Sequence, residues 1–195
     1  EAVAERIKLT DGTELSAEVV DRSPESLIVQ VPRKAVVTVD GRPLPPPVIE
    51  GSAAPAFSAT DLNGVTRSLA EGRGQVTLLQ FWASWCPFCR KDISLMKQLF
   101  AQHEGKGLRI VTVSIDEDVE KLKAFVRGEG LPYPIISVSA KPDLPALYEM
   151  RGVPAYVLID RQGIIAGTWS GSVTQTAGPA NETELEQRLA KLLAS

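Results

Sequence analysis

The sequence predicts an α/β chain: a mixed central sheet with helices on both faces, preceded by a small all-β module. Three observations predict it. Strand and helix patterns alternate from about residue 50 onward, whereas residues 1–40 show only short strands broken by turn residues. Val76-Thr77-Leu78-Leu79-Gln80-Phe81-Trp82 is almost continuously apolar, as a strand buried on both faces must be. Between the two patterns, Arg42-Pro43-Leu44-Pro45-Pro46-Pro47 should be stiff and extended. The β-rich module is therefore placed at 1–42, a proline-rich linker at 43–50 and the α/β domain at 51–195. The linker reads first as a spacer, and second as a proline-motif ligand for another protein.

In the module, Ile7-Lys8-Leu9, Glu14 to Val20, Ser26 to Val31 and Ala35 to Val39 read as four strands. Asp11-Gly12, Ser23-Pro24 and Asp40-Gly41 supply the turns, because Gly, Pro and Asp adopt turn geometry at low cost. This pattern loosely resembles small SH3-like modules. In the second part, Cys86 to Gln102 has helical spacing, with Cys89, Ile93, Met96 and Phe100 on one face and Leu99 beside them. Gly105 and Gly107 end that helix. Leu108 to Ile115 reads as a second central strand, and Asp116 to Arg127 as a second helix opened by acidic residues. Leu144 to Met150 is a short helix, and Ala155 to Asp160 with Ile164 to Trp169 a hairpin turning at Arg161-Gln162-Gly163. Glu182 to Leu193 closes the chain as a helix capped by Asn181. A right-handed strand–helix–strand crossover makes the first two strands parallel.

Composition narrows the function. The chain has 195 residues, 44% hydrophobic and 23% charged, so it can bury a core without a structural disulfide. A net charge of −3 gives no case for nucleic acid as a partner. No apolar run approaches the ~20 residues that span a bilayer. The chain starts at Glu1 without Met, and is read as a mature or trimmed form whose signal or anchor lies outside it.

The only two cysteines are Cys86 and Cys89. A C-x-x-C pair at a helix start lets two sulfurs meet across one turn and cycle between dithiol and disulfide. A thiolate, not a thiol, attacks a disulfide, and a helix N-terminus favours the anion through its unpaired N–H groups and its dipole. Pro87 suits the first helical position, and Arg90 and Lys91 add positive charge. Cys86 is thus expected to be an exposed nucleophile, and Cys89, one turn further on the apolar face, the resolving thiol. An inert disulfide here would close too short a loop to constrain the unfolded chain. A metal site needs about four ligands, and the single histidine, His103, lies a helix away. Covalent haem attachment needs His where Arg90 stands. No metal and no cofactor beyond the Cys86–Cys89 couple is expected. His103 reads as a favourable cation at a helix end, Trp82 as core, and Glu149 and Asp160 as surface or turn residues.

Phe81-Trp82-Ala83-Ser84-Trp85-Cys86-Pro87-Phe88-Cys89-Arg90 resembles the active-site signature of the thioredoxin superfamily. Three further stretches point to its extracytoplasmic TlpA/ResA-like branch. They are Ala54-Pro55-Ala56-Phe57 with Asp61-Leu62-Asn63-Gly64, then Val111 to Asp116, then Arg151-Gly152-Val153-Pro154 running into Ala155 to Asp160. The resemblance covers roughly residues 50–195. It implies a cis Val153-Pro154 peptide lying against Cys86, with the Val153 backbone pairing with a substrate strand. Trp85 would shape the site surface, and Phe88 would add an apolar lip. Thioredoxin's buried acid before the Trp matching Trp82 has no counterpart, since that position is Gln80 or its neighbour and neither is an acid. ResA-type proteins instead carry an acid three residues after the second Cys, here Asp92. Asp92 is either a proton acceptor or relay for Cys89, or a solvated helix charge.

The function expected is a thiol–disulfide oxidoreductase. The branch implies net reduction of disulfides in extracytoplasmic proteins such as apocytochrome c, with a periplasmic location and an upstream redox partner. A disulfide donor or isomerase of the same fold is the alternative. A peroxidase of the peroxiredoxin class would want Thr three residues before its attacking Cys, where Ala83 stands. Residues 1–45 could coexist with any of these as a binding or dimerisation module.

Overall fold

The computed structural model describes residues 4–8, 14–22, 27–30, 38–39, 42–43, 48–174 and 179–194, with side chains over 48–174 and 184–194. The chain divides into two compact units, Glu1–Pro45 and Pro46–Ser195. In the first, β1 (Ala4–Lys8), β2 (Glu14–Arg22) and β3 (Leu27–Gln30) form an antiparallel sheet in that order. β4 (Thr38–Val39) pairs with β5 (Arg42–Pro43). The turns expected at 11–12, 23–24 and 40–41, the strand residues 35–37 and the linker residues 44–47 lie outside the described residues.

The second unit opens with the hairpin β6 (Ser58–Thr60) and β7 (Thr66–Ser68). Then come β8 (Val76–Trp82), α1 (Pro87–His103), β9 (Leu108–Ser114), α2 (Val119–Glu129), β10 (Ile135–Ser137), α3 (Leu144–Leu147), β11 (Ala155–Ile159), β12 (Ile165–Ser170) and α4 (Pro179–Ala194). The central sheet runs β10-β9-β8-β11-β12. β10, β9 and β8 are parallel; β11 and β12 are antiparallel to their neighbours. This is the thioredoxin-like mixed sheet.

All seven residues of β8 are buried, which explains its almost continuous apolar run. Its side chains alternate between two cores. Val76, Leu78 and Trp82 pack with Leu95, Met96 and Leu99 of α1, Leu122 of α2 and Leu185 and Leu189 of α4. Leu79 and Phe81 pack on the other face with Phe57, Leu144 and Tyr148. Trp82 is satisfied within its core, its Nε1 donating to Thr112 Oγ1 at 3.1 Å. Gly105 and Gly107, at φ +70° and +94°, make the left-handed turns that end α1 and start β9.

Several elements differ from the sequence reading; α3 ends at Leu147 rather than Met150, and Arg42–Pro43 pairs as β5. β10 was not anticipated: three residues behind Pro134 are too few for a period to show, and an edge strand tolerates the flanking prolines. α2 begins at Val119, capped by Asp118 accepting from Lys121 N, because Asp116 is engaged elsewhere. α4 begins at Pro179, so Asn181 lies inside the helix rather than at its cap; proline's fixed φ and missing N–H suit a first turn. Among the described residues no helix is long and apolar enough to cross a membrane.

Candidate active site

The site sits where β8 ends and α1 begins. Cys86 is the N-cap of α1, with extended backbone, and Pro87 occupies the first turn. Cys86 Sγ accepts a hydrogen bond from Cys89 N at 3.2 Å, so one of the helix's unpaired N–H groups points at the sulfur. The α1 dipole favours negative charge at the same place. Both cysteines are free thiols.

Cys86 is not exposed as the sequence suggested. It is 4% exposed, while its neighbours Trp85 and Phe88 are 62% and 53% exposed. The cover is a segment 67 residues away: the Val153–Pro154 peptide is cis, and Cys86 Sγ donates to Val153 O across 3.7 Å. The sulfur is therefore recessed while the aromatic side chains on either side of it in sequence are exposed. Lys91 Nζ lies 5.6 Å from the centre of the Phe88 ring, adding positive charge there.

Cys89 is 1% exposed. Burial pushes its thiol far above the usual range. Its hydrogen bond with Cys86 and the charges of Cys86 and Asp92 push the same way, and the Ala83 backbone opposes them.

Asp92 is no solvated helix charge, for it is 0% exposed. It accepts from Tyr156 Oη at 2.6 Å, Ser172 Oγ at 2.6 Å, Val173 N at 3.1 Å, Thr174 N at 3.3 Å and the Thr174 hydroxyl. All five partners donate, which is the pattern a carboxylate completes. None of them is Cys89. Tyr156 Oη also accepts from Gln80 Nε2 at 3.2 Å, which links Asp92 to Gln80 of β8. Burial holds the Tyr156 phenol well above its usual range, and the Asp92 charge and hydrogen bond reinforce this.

Sequence reasoning missed Asp116. Its carboxylate is buried and accepts from Ser84 N at 2.9 Å, Ser84 Oγ at 2.6 Å and Ser114 Oγ at 2.6 Å. The sequence signal was present, an acid directly after an apolar strand, but it read equally well as a helix start. His103 is the last residue of α1, and Asp160 accepts from Gln162 N and Ile164 N in the hairpin turn.

The AhpC/TSA family model matches residues 51–168. The thiol-disulfide oxidoreductase ResA of Bacillus anthracis is 30% identical over 142 residues, covering 73% of this chain and 78% of ResA. The chain belongs to the AhpC/TSA family and is a TlpA/ResA-like member of the thioredoxin superfamily. Solved structures agree. The thioredoxin domain of a thiol-disulfide oxidoreductase from Bacteroides vulgatus superposes with a TM-score of 0.61 at 25% identity, covering 72% of this chain and 98% of its own. A secreted Mycobacterium tuberculosis disulfide oxidoreductase, homologous to Escherichia coli DsbE, gives 0.58 at 27%, covering 70% and 96%. The TlpA/ResA-like chain is thus a thiol–disulfide oxidoreductase, and such an enzyme works between protein substrates and redox partners.

Proposed function

We propose that Cys86 is the attacking sulfur and Cys89 the resolving one, and that the enzyme reduces disulfides of extracytoplasmic proteins. The observation that carries this is the Cys86 sulfur at the α1 N-cap, facing an N–H of its own helix and lying under Val153. Cys86 thiolate attacks one sulfur of a substrate disulfide; that bond breaks, a mixed disulfide forms and the departing thiolate takes a proton. Cys89 then gives up its proton and attacks Cys86 Sγ, releasing the second substrate thiol. Two electrons pass from the Cys86–Cys89 dithiol to the substrate, and the Cys86–Cys89 disulfide is the only cofactor needed.

The exposed Trp85 and Phe88 form the apolar ridge on which an extended substrate segment rests, while the Val153 backbone pairs with it beside Pro154. A substrate that takes up Val153 O also frees the Cys86 sulfur from its bond there. Asp92 acts on Cys89 through its charge, keeping the resolving thiol protonated until the mixed disulfide forms. Its hydrogen bonds, all to other groups, support this over direct proton relay.

Net reduction, with apocytochrome c among the substrates, follows the ResA-type resemblance. The secreted Mycobacterium tuberculosis relative supports an extracytoplasmic, periplasm-like location. The unit Glu1–Pro45 is a candidate module for partner contact or dimerisation, and its deletion should change oligomeric state or activity on natural partners. Trapping mixed disulfides in cells with Cys89→Ala, together with the reduction potential of the Cys86–Cys89 couple, tests the reading. A potential near the oxidising end of the superfamily's range would make the enzyme a disulfide donor instead.

A further inference from the structure

Asp116 is a buried acid at the end of β9, with no ion pair among the described residues. Taking a carboxylate out of water without a counter-charge is costly unless hydrogen bonds replace the lost solvent. The bonds that replace it converge on one residue of the site: Asp116 accepts both the N–H and the hydroxyl of Ser84, with Ser114 Oγ completing the set. Ser114 Oγ in turn accepts from Asp116 N at 3.0 Å, which fixes the carboxylate against its own strand.

Ser84 is gripped from the other side as well. Its carbonyl accepts from Arg90 Nε at 2.6 Å, and the Arg90 guanidinium lies 4.9 Å from the centre of the Phe125 ring. Every polar group of Ser84 is thus tied to Asp116 or to α1. The residues it leads into are less secured. Cys86 N closes a turn onto Ala83 O at 3.2 Å, and Trp85 sits at the open side of that turn, 62% exposed. No hydrogen bond of the Trp85 indole anchors it among the described residues. The direction of the Trp85 ring is therefore set by its backbone, and that backbone by Ser84.

We propose that Asp116 is a positioning residue for substrate capture: through Ser84 it holds the Ser84-Trp85-Cys86 turn so that Trp85 stands as a fixed ridge beside the recessed sulfur. This rests on the reading of Trp85 as a surface that substrate proteins touch. A prearranged ridge matters for a protein substrate, whose binding must otherwise bear the ordering of the loop. It matters little for a small aromatic disulfide, which needs only the sulfur.

The test compares insulin with Ellman's reagent as substrates of reduced Asp116→Ala, Ser84→Ala, the double variant and Trp85→Ala. Acrylamide quenching of tryptophan fluorescence is the second readout, and it reports mainly Trp85, because Trp82 and Trp169 are only 2% and 8% exposed. Asp116→Ala should raise KM for insulin about tenfold, the scale of losing hydrogen bonds to a charged group. Its rate with Ellman's reagent should stay within about twofold, and quenching should rise. Ser84→Ala should move the same quantities in the same direction by less, and the double variant should fall well short of the sum of the singles. Equal slowing on both substrates with unchanged quenching overturns the proposal, since that is what distant structural damage does. If Asp116→Ala does not fold, Ser84→Ala decides alone: unchanged KM and quenching overturn the proposal. Trp85→Ala separates the two levels. An unchanged KM there removes the ridge and the proposal together. A raised KM there, with KM unchanged in Asp116→Ala and Ser84→Ala, removes only the role of Asp116.

Discussion

Cys89 should keep its proton far into the alkaline range, and the reduced protein should lose stability there as a result. Burial is the main cause, followed by the hydrogen bond to Cys86 and the charges of Cys86 and Asp92. In the unfolded chain the same thiol ionises near ~8.5. Above that pH the folded state holds a proton that the unfolded state has lost. Stability is therefore fully present below about pH 8 and falls as pH rises, by up to about 1.4 kcal/mol per pH unit from this one group. Between about pH 9 and about pH 10.5 the loss amounts to roughly 2 kcal/mol. Tyr133, Tyr148 and Tyr156 are also held up by burial and act in the same direction, beginning near their ordinary ~10. Denaturant unfolding of the reduced protein and of reduced Cys89→Ala across this range separates the contributions, because the tyrosines cancel in the difference. The difference should be flat below about pH 8 and slope downward above about pH 9. A second consequence concerns the redox couple. While Cys89 stays protonated, reduction takes up at least one proton, so the potential must keep falling by at least ~30 mV per pH unit up to about pH 10.5. A flat difference curve, or a potential that stops depending on pH near pH 9.5, would refute the reasoning.

Three substitutions extend the argument. Asp92→Asn should lower the pH at which Cys89 ionises, seen by thiolate absorbance, yet leave it above the ordinary range because burial is the larger cause; it should also cost about 3 kcal/mol of stability, since the amide N–H₂ would then face a backbone N–H, of Val173 or of Thr174, that cannot accept. Tyr148→Phe removes the bond from Tyr148 Oη to Pro55 O at 2.7 Å and strands a buried carbonyl, so thermal unfolding should show a loss of about 1–3 kcal/mol with the Cys86 reaction rate unchanged. Gly167→Ala would place a Cβ 2.6 Å from the Trp169 ring; the ring must move, so Trp169 emission should shift and stability fall by about 1–3 kcal/mol.

Some parts of this protein could be read from short stretches of sequence because the forces that shape them act over short distances. The seven residues of β8, five of them apolar, read as a strand covered on both sides, and they are. A cysteine before proline, followed by a four-three-four apolar spacing, marks the start of α1 within one residue, because caps and helical periods are local. The short β10 carried no period and stayed hidden between its prolines. Asp116 and Asp92 are harder cases. Asp116 reads on the chain as an acid at a helix start, where it needs no further explanation, and Asp92 reads equally as a relay for Cys89 and as a solvated helix charge.

The sequence by itself determined the reaction: two cysteines, two residues apart, at the start of a helix behind a buried strand. Tertiary structure alone decided how that reaction is presented. Val153, 67 residues from Cys86, covers the sulfur and leaves Trp85 and Phe88 as the exposed surface. Tyr156 and Ser172, 64 and 80 residues from Asp92, decide that Asp92 is a buried, hydrogen-bonded carboxylate and not a solvated charge. Asp116, 32 residues from Ser84, accepts its N–H two residues before Cys86. Burial and hydrogen-bond partnership depend on what the folded chain brings alongside, so no local pattern carries them.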